Sequence, residues 1–298
     1  MTGVIENEQL RIQVNAKGAE LISVYSRPHD LEYMWKGDPV FWGKHAPVLF
    51  PIIGALKNNI YFFNGKEYTL NRHGFAREKA FTLVDEKAFT LVDKSPESLA
   101  FSLSHDEQTQ LHYPFLFEFL IRYLIKGNTL ETHYRVTNKG EGPMFFSLGA
   151  HPAFAVPLVR GTDYDDYYLQ FDQPETLDRW SVSAEGLIEK DSVPFLVQQD
   201  RIPLTKELFY KGALVFKQPV SKALAIRSHK TGRGLSMDLD GFPYLGIWAA
   251  EHADFVCLEP WCGIADSVDA DQELVHKEGI LRLEQGGVFE RVLRIRLF

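Results

Sequence analysis

The chain has 298 residues, 45% hydrophobic and 24% charged, with 32 lysines and arginines against 40 aspartates and glutamates. This is a globular composition with ample side chain for a core, which excludes disorder as an overall state. The formal net charge of -8 opposes the phosphate-neutralising surface that nucleic-acid binding requires, so a small neutral or locally captured ligand fits better.

The opening residues, Met1-Thr2-Gly3-Val4-Ile5-Glu6-Asn7-Glu8, place acidic side chains where a secretory signal would have an apolar run. No later stretch is apolar for the length of a membrane span. A soluble, cytoplasmic protein with no membrane partner is expected. Leu10-Arg11-Ile12-Gln13-Val14 alternates apolar and polar residues, the period of a half-buried strand. Asn64-Gly65-Lys66 marks a tight turn. Phe117, Phe119, Ile121, Tyr123 and Ile125 share one strand face, and Thr132, Tyr134 and Val136 continue it beyond Lys126-Gly127-Asn128, which predicts a hairpin.

Turn signals recur at Lys139-Gly140-Glu141-Gly142, Thr231-Gly232-Arg233-Gly234 and Gln285-Gly286-Gly287, while Pro152 to Asp172 reads as a loop rich in tyrosine and aspartate. One short helix is predicted over Pro203–Phe209, where Leu204 and Leu208 lie four apart behind an N-terminal proline. Leu293-Arg294-Ile295-Arg296-Leu297 repeats the strand alternation, so both ends are tied into sheets. Many short strands with tight turns and few short helices predict an all-β sandwich or barrel. No linker, charge block or fixed repeat divides it, and residues 1–298 are read as a single domain.

Cys257 and Cys262 are the only cysteines, too few for a disulfide framework and without the second pair of a usual zinc site, so two reduced thiols are expected. Ten histidines include no close His-x-His cluster, and no metal site is expected.

Three islands combine ionisable residues with glycine, proline and aromatics. In Arg72-His73-Gly74-Phe75-Ala76-Arg77, two arginines flank a histidine and suit a polyhydroxylated or anionic ligand; a solvated turn is the plainer alternative. In Ser147-Leu148-Gly149-Ala150-His151-Pro152-Ala153-Phe154, a histidine able to act as acid or base near neutral pH sits among phenylalanines, where a core histidine is equally at home. In Val256-Cys257-Leu258-Glu259-Pro260-Trp261-Cys262-Gly263, Glu259 ends an apolar run, and a carboxylate emerging from a buried strand needs either a structural partner or a catalytic task. Phe75, Trp248 and Trp261 could stack on the apolar face of a ligand ring or fill core.

His-Gly-Phe-Ala-Arg, Gly-Ala-His-Pro-Ala-Phe and Leu-Glu-Pro-Trp, in this order and at these distances, resemble the aldose 1-epimerases, most closely the LacX-like branch. The likeness runs from Gly18-Ala19-Glu20-Leu21 through Leu49-Phe50-Pro51-Ile52-Ile53-Gly54 and Phe242-Pro243-Tyr244-Leu245-Gly246-Ile247-Trp248 to the last strand. The resemblance implies a galactose mutarotase-like supersandwich of two large antiparallel sheets, with a hexose or hexose phosphate in an open cleft. It also implies His151 as general acid on the ring oxygen, Glu259 as general base on the anomeric hydroxyl, and ligand contacts from His73 and Arg77. No cofactor is implied.

The pattern departs in two places. Galactose-specific members carry an arginine directly after the glycine matching Gly54, where this chain has Ala55, with Lys57 as the nearest cation. They also use an aspartate to hold sugar hydroxyls, and Lys211-Gly212-Ala213-Leu214 offers none. Arg72, Arg77 and Lys57 are the cations that could meet a phosphate. The rival expectation is a non-catalytic sugar-binding or sugar-sensing protein on the same fold. Surface aromatics leave a homodimer contact open.

Overall fold

The computed structural model describes residues 2–84 and 97–298. Alternation at the chain start produces a four-stranded antiparallel sheet from Thr2–Glu6, Leu10–Asn15, Glu20–Ser26 and Leu31–Glu32. Ile12 and Val14 are buried while Arg11 is exposed, as a period of two requires. The predicted hairpin is Phe117–Lys126 with Thr129–Asn138, its register pairing Phe119 with Val136, Ile121 with Tyr134 and Tyr123 with Thr132. The smaller hairpin of Ile60–Phe63 and Lys66–Thr69 turns at Asn64 and Gly65, both at positive φ (51° and 73°), the geometry that favours Asn-Gly in a two-residue turn.

The all-β supersandwich expected from the sequence is present, and its layers are continuous. Hydrogen bonding runs through Val48–Leu49, Leu148–Ala150, Phe255–Cys262, Tyr244–Trp248, Leu214–Lys217 and Tyr167–Val182, then Ala223–Ser228 and Leu235–Asp238. It continues through Val288–Leu297, Thr129–Asn138, Phe117–Lys126, Ser98–Ser104 and Thr82–Val84. The inner faces meet in one core that joins Ile12 and Val14 to Phe119, Phe216, Ile247 and Leu258. Its aromatic centre is Phe50, whose ring lies 4.8 Å from Phe119, 5.1 Å from Phe117 and 5.9 Å from Phe146 between centroids.

Three local expectations change. The helix over Pro203–Phe209 reduces to a single 3-10 turn, Lys206–Phe209, because Pro203 completes the strand Ile188–Pro203. The Pro152–Asp172 stretch holds a strand, Ala153–Ala155, paired with Phe255–Cys262, and a second strand begins at Tyr167. The α-helix of the described residues is Glu107–His112, where Asp106 accepts from Thr109 N at 2.6 Å and Thr109 Oγ1 accepts from Asp106 N at 2.8 Å. That capping box is built from Asp and Thr in front of a polar segment, so hydrophobic periodicity does not reveal it. Asp106→Ala is expected to destabilise the protein by about 1 kcal/mol, read as a lower urea midpoint with an unchanged slope.

A ribbon of two 16-residue strands, Tyr167–Val182 and Ile188–Pro203, carries register shifts along its length and brings its tip back to the sheet. The tip is fastened where Ile188 N donates to Asp266 O and Val268 N donates to Ile188 O. No helix among the described residues is long and apolar enough to cross a membrane.

Candidate active site

Phe255–Cys262 is buried at every position. Side chains two apart share a face, so Cys257, Glu259 and Trp261 project together. Glu259 is therefore mid-strand, rather than at the end of a buried run. Pro260 is tolerated in this interior strand because of what lies on its edge. Leu258 N donates to Pro152 O, and residues two apart direct their N–H groups to the same side. Pro260 thus faces the break between Leu148–Ala150 and Ala153–Ala155, where the ladder is already interrupted.

That break carries His151. Its Nε2 lies 3.3 Å from Glu259 Oε2, and the two residues are only 8% and 3% exposed. Trp42 stacks on the imidazole at 4.9 Å, Trp248 meets it edge-on at 5.9 Å, and His73 meets it edge-on at 5.7 Å. The Trp261 indole is fitted between flanking strands at two glycines. A Cβ on Gly149 would fall 2.7 Å from the ring, and one on Gly246 would fall 2.4 Å from it.

His73 sits at φ 67°, an uncommon conformation for a residue with a side chain. Gly74 follows at φ 70°, and a Cβ there would fall 2.3 Å from Phe50 O. The strained turn is locked by a reciprocal pair: His73 N donates to Gly54 O, and Gly54 N donates to His73 Nδ1 at 3.1 Å. A backbone N–H can only donate, so Nδ1 carries no proton and Nε2 bears it. Burial, then the neighbouring His151, Arg77 and Arg72, holds His73 well below the ordinary imidazole range and keeps it neutral.

The cleft has a volume of about 360 Å³, within the ~300–1,000 Å³ range of small-molecule sites. Arg72, His73, Arg77, His151, Trp248 and Glu259 all line it, so residues from the three islands converge. Arg77 donates to Arg72 O at 2.9 Å, and Arg72 donates to Glu185 O at 3.0 Å, tying the first island to the ribbon tip. Lys57 is the exception. It is not among the lining residues; its ammonium donates to Ala270 O at 3.3 Å and its backbone N to Asp266, which holds it to the adjoining 266–270 segment. Phe75 packs against Phe50, Tyr113 and Phe117 instead of facing the cleft.

Sequence reasoning missed Trp42 and the ribbon-tip residues Val182, Ser183, Ala184 and Gly186. Only Phe41-Trp42-Gly43, beside Pro39, carried a signal, since two large aromatics in a turn-rich segment ask for a partner.

A family model for aldose 1-epimerase matches residues 1–287. The chain belongs to the aldose 1-epimerase family. Protein LacX of Lactococcus lactis subsp. lactis, in its chromosomal form, is 35% identical over 295 residues, 95% of each chain. A galactose mutarotase related enzyme from Lactobacillus acidophilus superposes with a TM-score of 0.90 at 33% identity, over 100% of this chain and 97% of that one. A galactose mutarotase-like protein from Lactobacillus casei gives 0.91 at 30% identity over the whole of both chains.

In this epimerase-family cleft, Glu259 is the one carboxylate among the described lining residues, against the two guanidinium groups. Gly212 and Ala213 line it where an aspartate was sought. Three buried polar atoms of lining residues, His151 Nδ1, Arg77 Nε and Trp261 Nε1, have no well-formed hydrogen bond, an arrangement that suits a polar ligand. Burial pushes the Glu259 carboxyl well above its usual range, with Trp261 pulling the other way. Burial also holds His151 below the ordinary imidazole range, and the Arg77 cation adds to that. Desolvation therefore opposes the mutual attraction of a protonated His151 and an ionised Glu259. Burial thus disfavours the charged form of both groups.

Proposed function

We propose that the protein is an aldose 1-epimerase that interconverts the anomers of a hexose or hexose phosphate, with His151 as general acid and Glu259 as general base. The observation that carries this reading is the 3.3 Å approach of His151 Nε2 to Glu259 Oε2 in one cleft. The anomeric hydroxyl and the ring oxygen are bonded to the same carbon, so an acid and a base that serve both must be neighbours.

Ring opening moves the proton of the C1 hydroxyl to Glu259 and a proton from His151 to the ring oxygen. The bond from C1 to the ring oxygen breaks, and the C1 carbonyl forms. The charged pair thereby becomes the neutral pair, the form that burial favours; rotation about C1–C2 and the reverse transfers close the other anomer. Net charge in the cleft never changes, so no step leaves an uncompensated buried ion. Sugar hydroxyls supply the solvation that the charged pair needs at the start.

Arg72 and Arg77 with a single opposing carboxylate favour a substrate bearing negative charge, and the aromatic wall of Trp42, Trp248 and Trp261 suits an apolar sugar face. Freshly dissolved single anomers of glucose, galactose and their 6-phosphates, followed by proton NMR or polarimetry, test the proposal. Faster exchange with any of them supports it. Binding without acceleration would instead support a sugar-binding protein, the reading favoured by the carboxylate-free Gly212–Ala213 wall. Trp42→Ala is expected to lower kcat/KM by about 2–10-fold, the scale of one aromatic stacking contact; an unchanged value would place Trp42 outside the substrate's reach.

A further inference from the structure

Cys257 has no part in the proton transfers above, yet it stands two residues before Glu259 on the same strand face. It is fully buried and reduced, and it does not line the cleft. One ligand atom each from His151, Cys257 and Glu259 lie within 4.8 Å of one another. We propose that these three side chains form an inhibitory site for a thiophilic divalent cation, of which Zn2+ is the representative, entered from the cleft.

The geometry fits. Zinc holds nitrogen and carboxylate oxygen at about 2.0–2.2 Å, so two such ligands on a tetrahedral ion stand about 3.4 Å apart. His151 Nε2 and Glu259 Oε2 are already 3.3 Å apart. A thiolate at about 2.3 Å needs to stand about 3.6 Å from its neighbours, so Cys257 has only to close from a separation of at most 4.8 Å. Three protein ligands leave the fourth position to water on the cleft side. The thiol and imidazole select zinc over magnesium or calcium, which take oxygen ligands.

Coordination sends the Cys257 thiol proton to solvent, together with any proton that Glu259 holds, and the ion occupies the lone pairs that the acid and base use. The consequence for catalysis rests on the reading under Proposed function, whereas the site itself does not. The test uses the intact chain titrated with Co2+ and Zn2+. A thiolate-to-cobalt charge-transfer band is expected at one equivalent, together with loss of anomer exchange under Zn2+ and its recovery with a chelator. Cys257→Ala is expected to keep the unliganded exchange rate and to weaken Zn2+ binding by about 10–100-fold or more. Absence of the band in the wild-type chain, or equal Zn2+ affinity in Cys257→Ala, would overturn the proposal; the band is read on unmodified protein, so it decides even if the variant does not fold. A band without any basal exchange would uphold the metal site and overturn the epimerase reading.

Discussion

Glu259→Gln is expected to slow anomer exchange by about 10²–10⁴-fold, and His151→Ala by a similar factor, the usual contribution of one positioned acid or base. Glutamine keeps the shape of the side chain and its place in Phe255–Cys262 but cannot take the C1 hydroxyl proton. Loss through Glu259→Gln is therefore a loss of kcat with KM nearly kept. Because both groups serve one proton circuit at 3.3 Å, the double variant should lose little more than either single one. Exchange rates of pure anomers by NMR decide this, with circular dichroism as the control for folding. A Glu259→Gln protein that exchanges anomers at the wild-type rate would remove the carboxylate from the mechanism.

Phe50→Ala is expected to destabilise the fold by about 3–5 kcal/mol. The ring is completely buried and touches Phe75, Tyr113, Phe117, Phe119 and Phe146, with centroid separations between 4.8 and 6.1 Å. Its carbonyl accepts from both Phe75 N and Ala76 N, which seats the turn carrying His73 and Arg77. The void would thus lie beneath the cleft, and KM should rise alongside the fall in the urea midpoint. An unfolding free energy within about 1 kcal/mol of wild type would show that the surrounding aromatics collapse into the space.

The fold was largely legible in the sequence. Phe117–Lys126 and Thr129–Asn138 were found because alternation and a tight turn are local properties, and their register follows from which face is apolar. Legibility failed where both faces of a strand are buried, as in Ala153–Ala155, which offers no alternation and reads as loop. It failed again at Glu107–His112, a single polar turn held by its cap. Within the site, His73, Arg77, His151 and Glu259 were named from three ordered motifs and Trp248 from the aromatic stretch that ends at it, and all of them line one cleft. Lys57 was named for its nearness to Gly54 in the chain, but its ammonium is spent on Ala270 O.

The sequence by itself determined the all-β class, the family and the identity of the acid and base candidates, because strand period, turn chemistry and motif order are written along the chain. Only the tertiary structure decided that His151 and Glu259 stand 3.3 Å apart, that Trp42 covers the imidazole, that the ribbon tip walls the cleft, and that Cys257 lies within 4.8 Å of the pair. Those contacts join residues from 2 to more than 100 positions apart. Sheet pairing and desolvation, neither of which has a local signature, set their distances and their protonation.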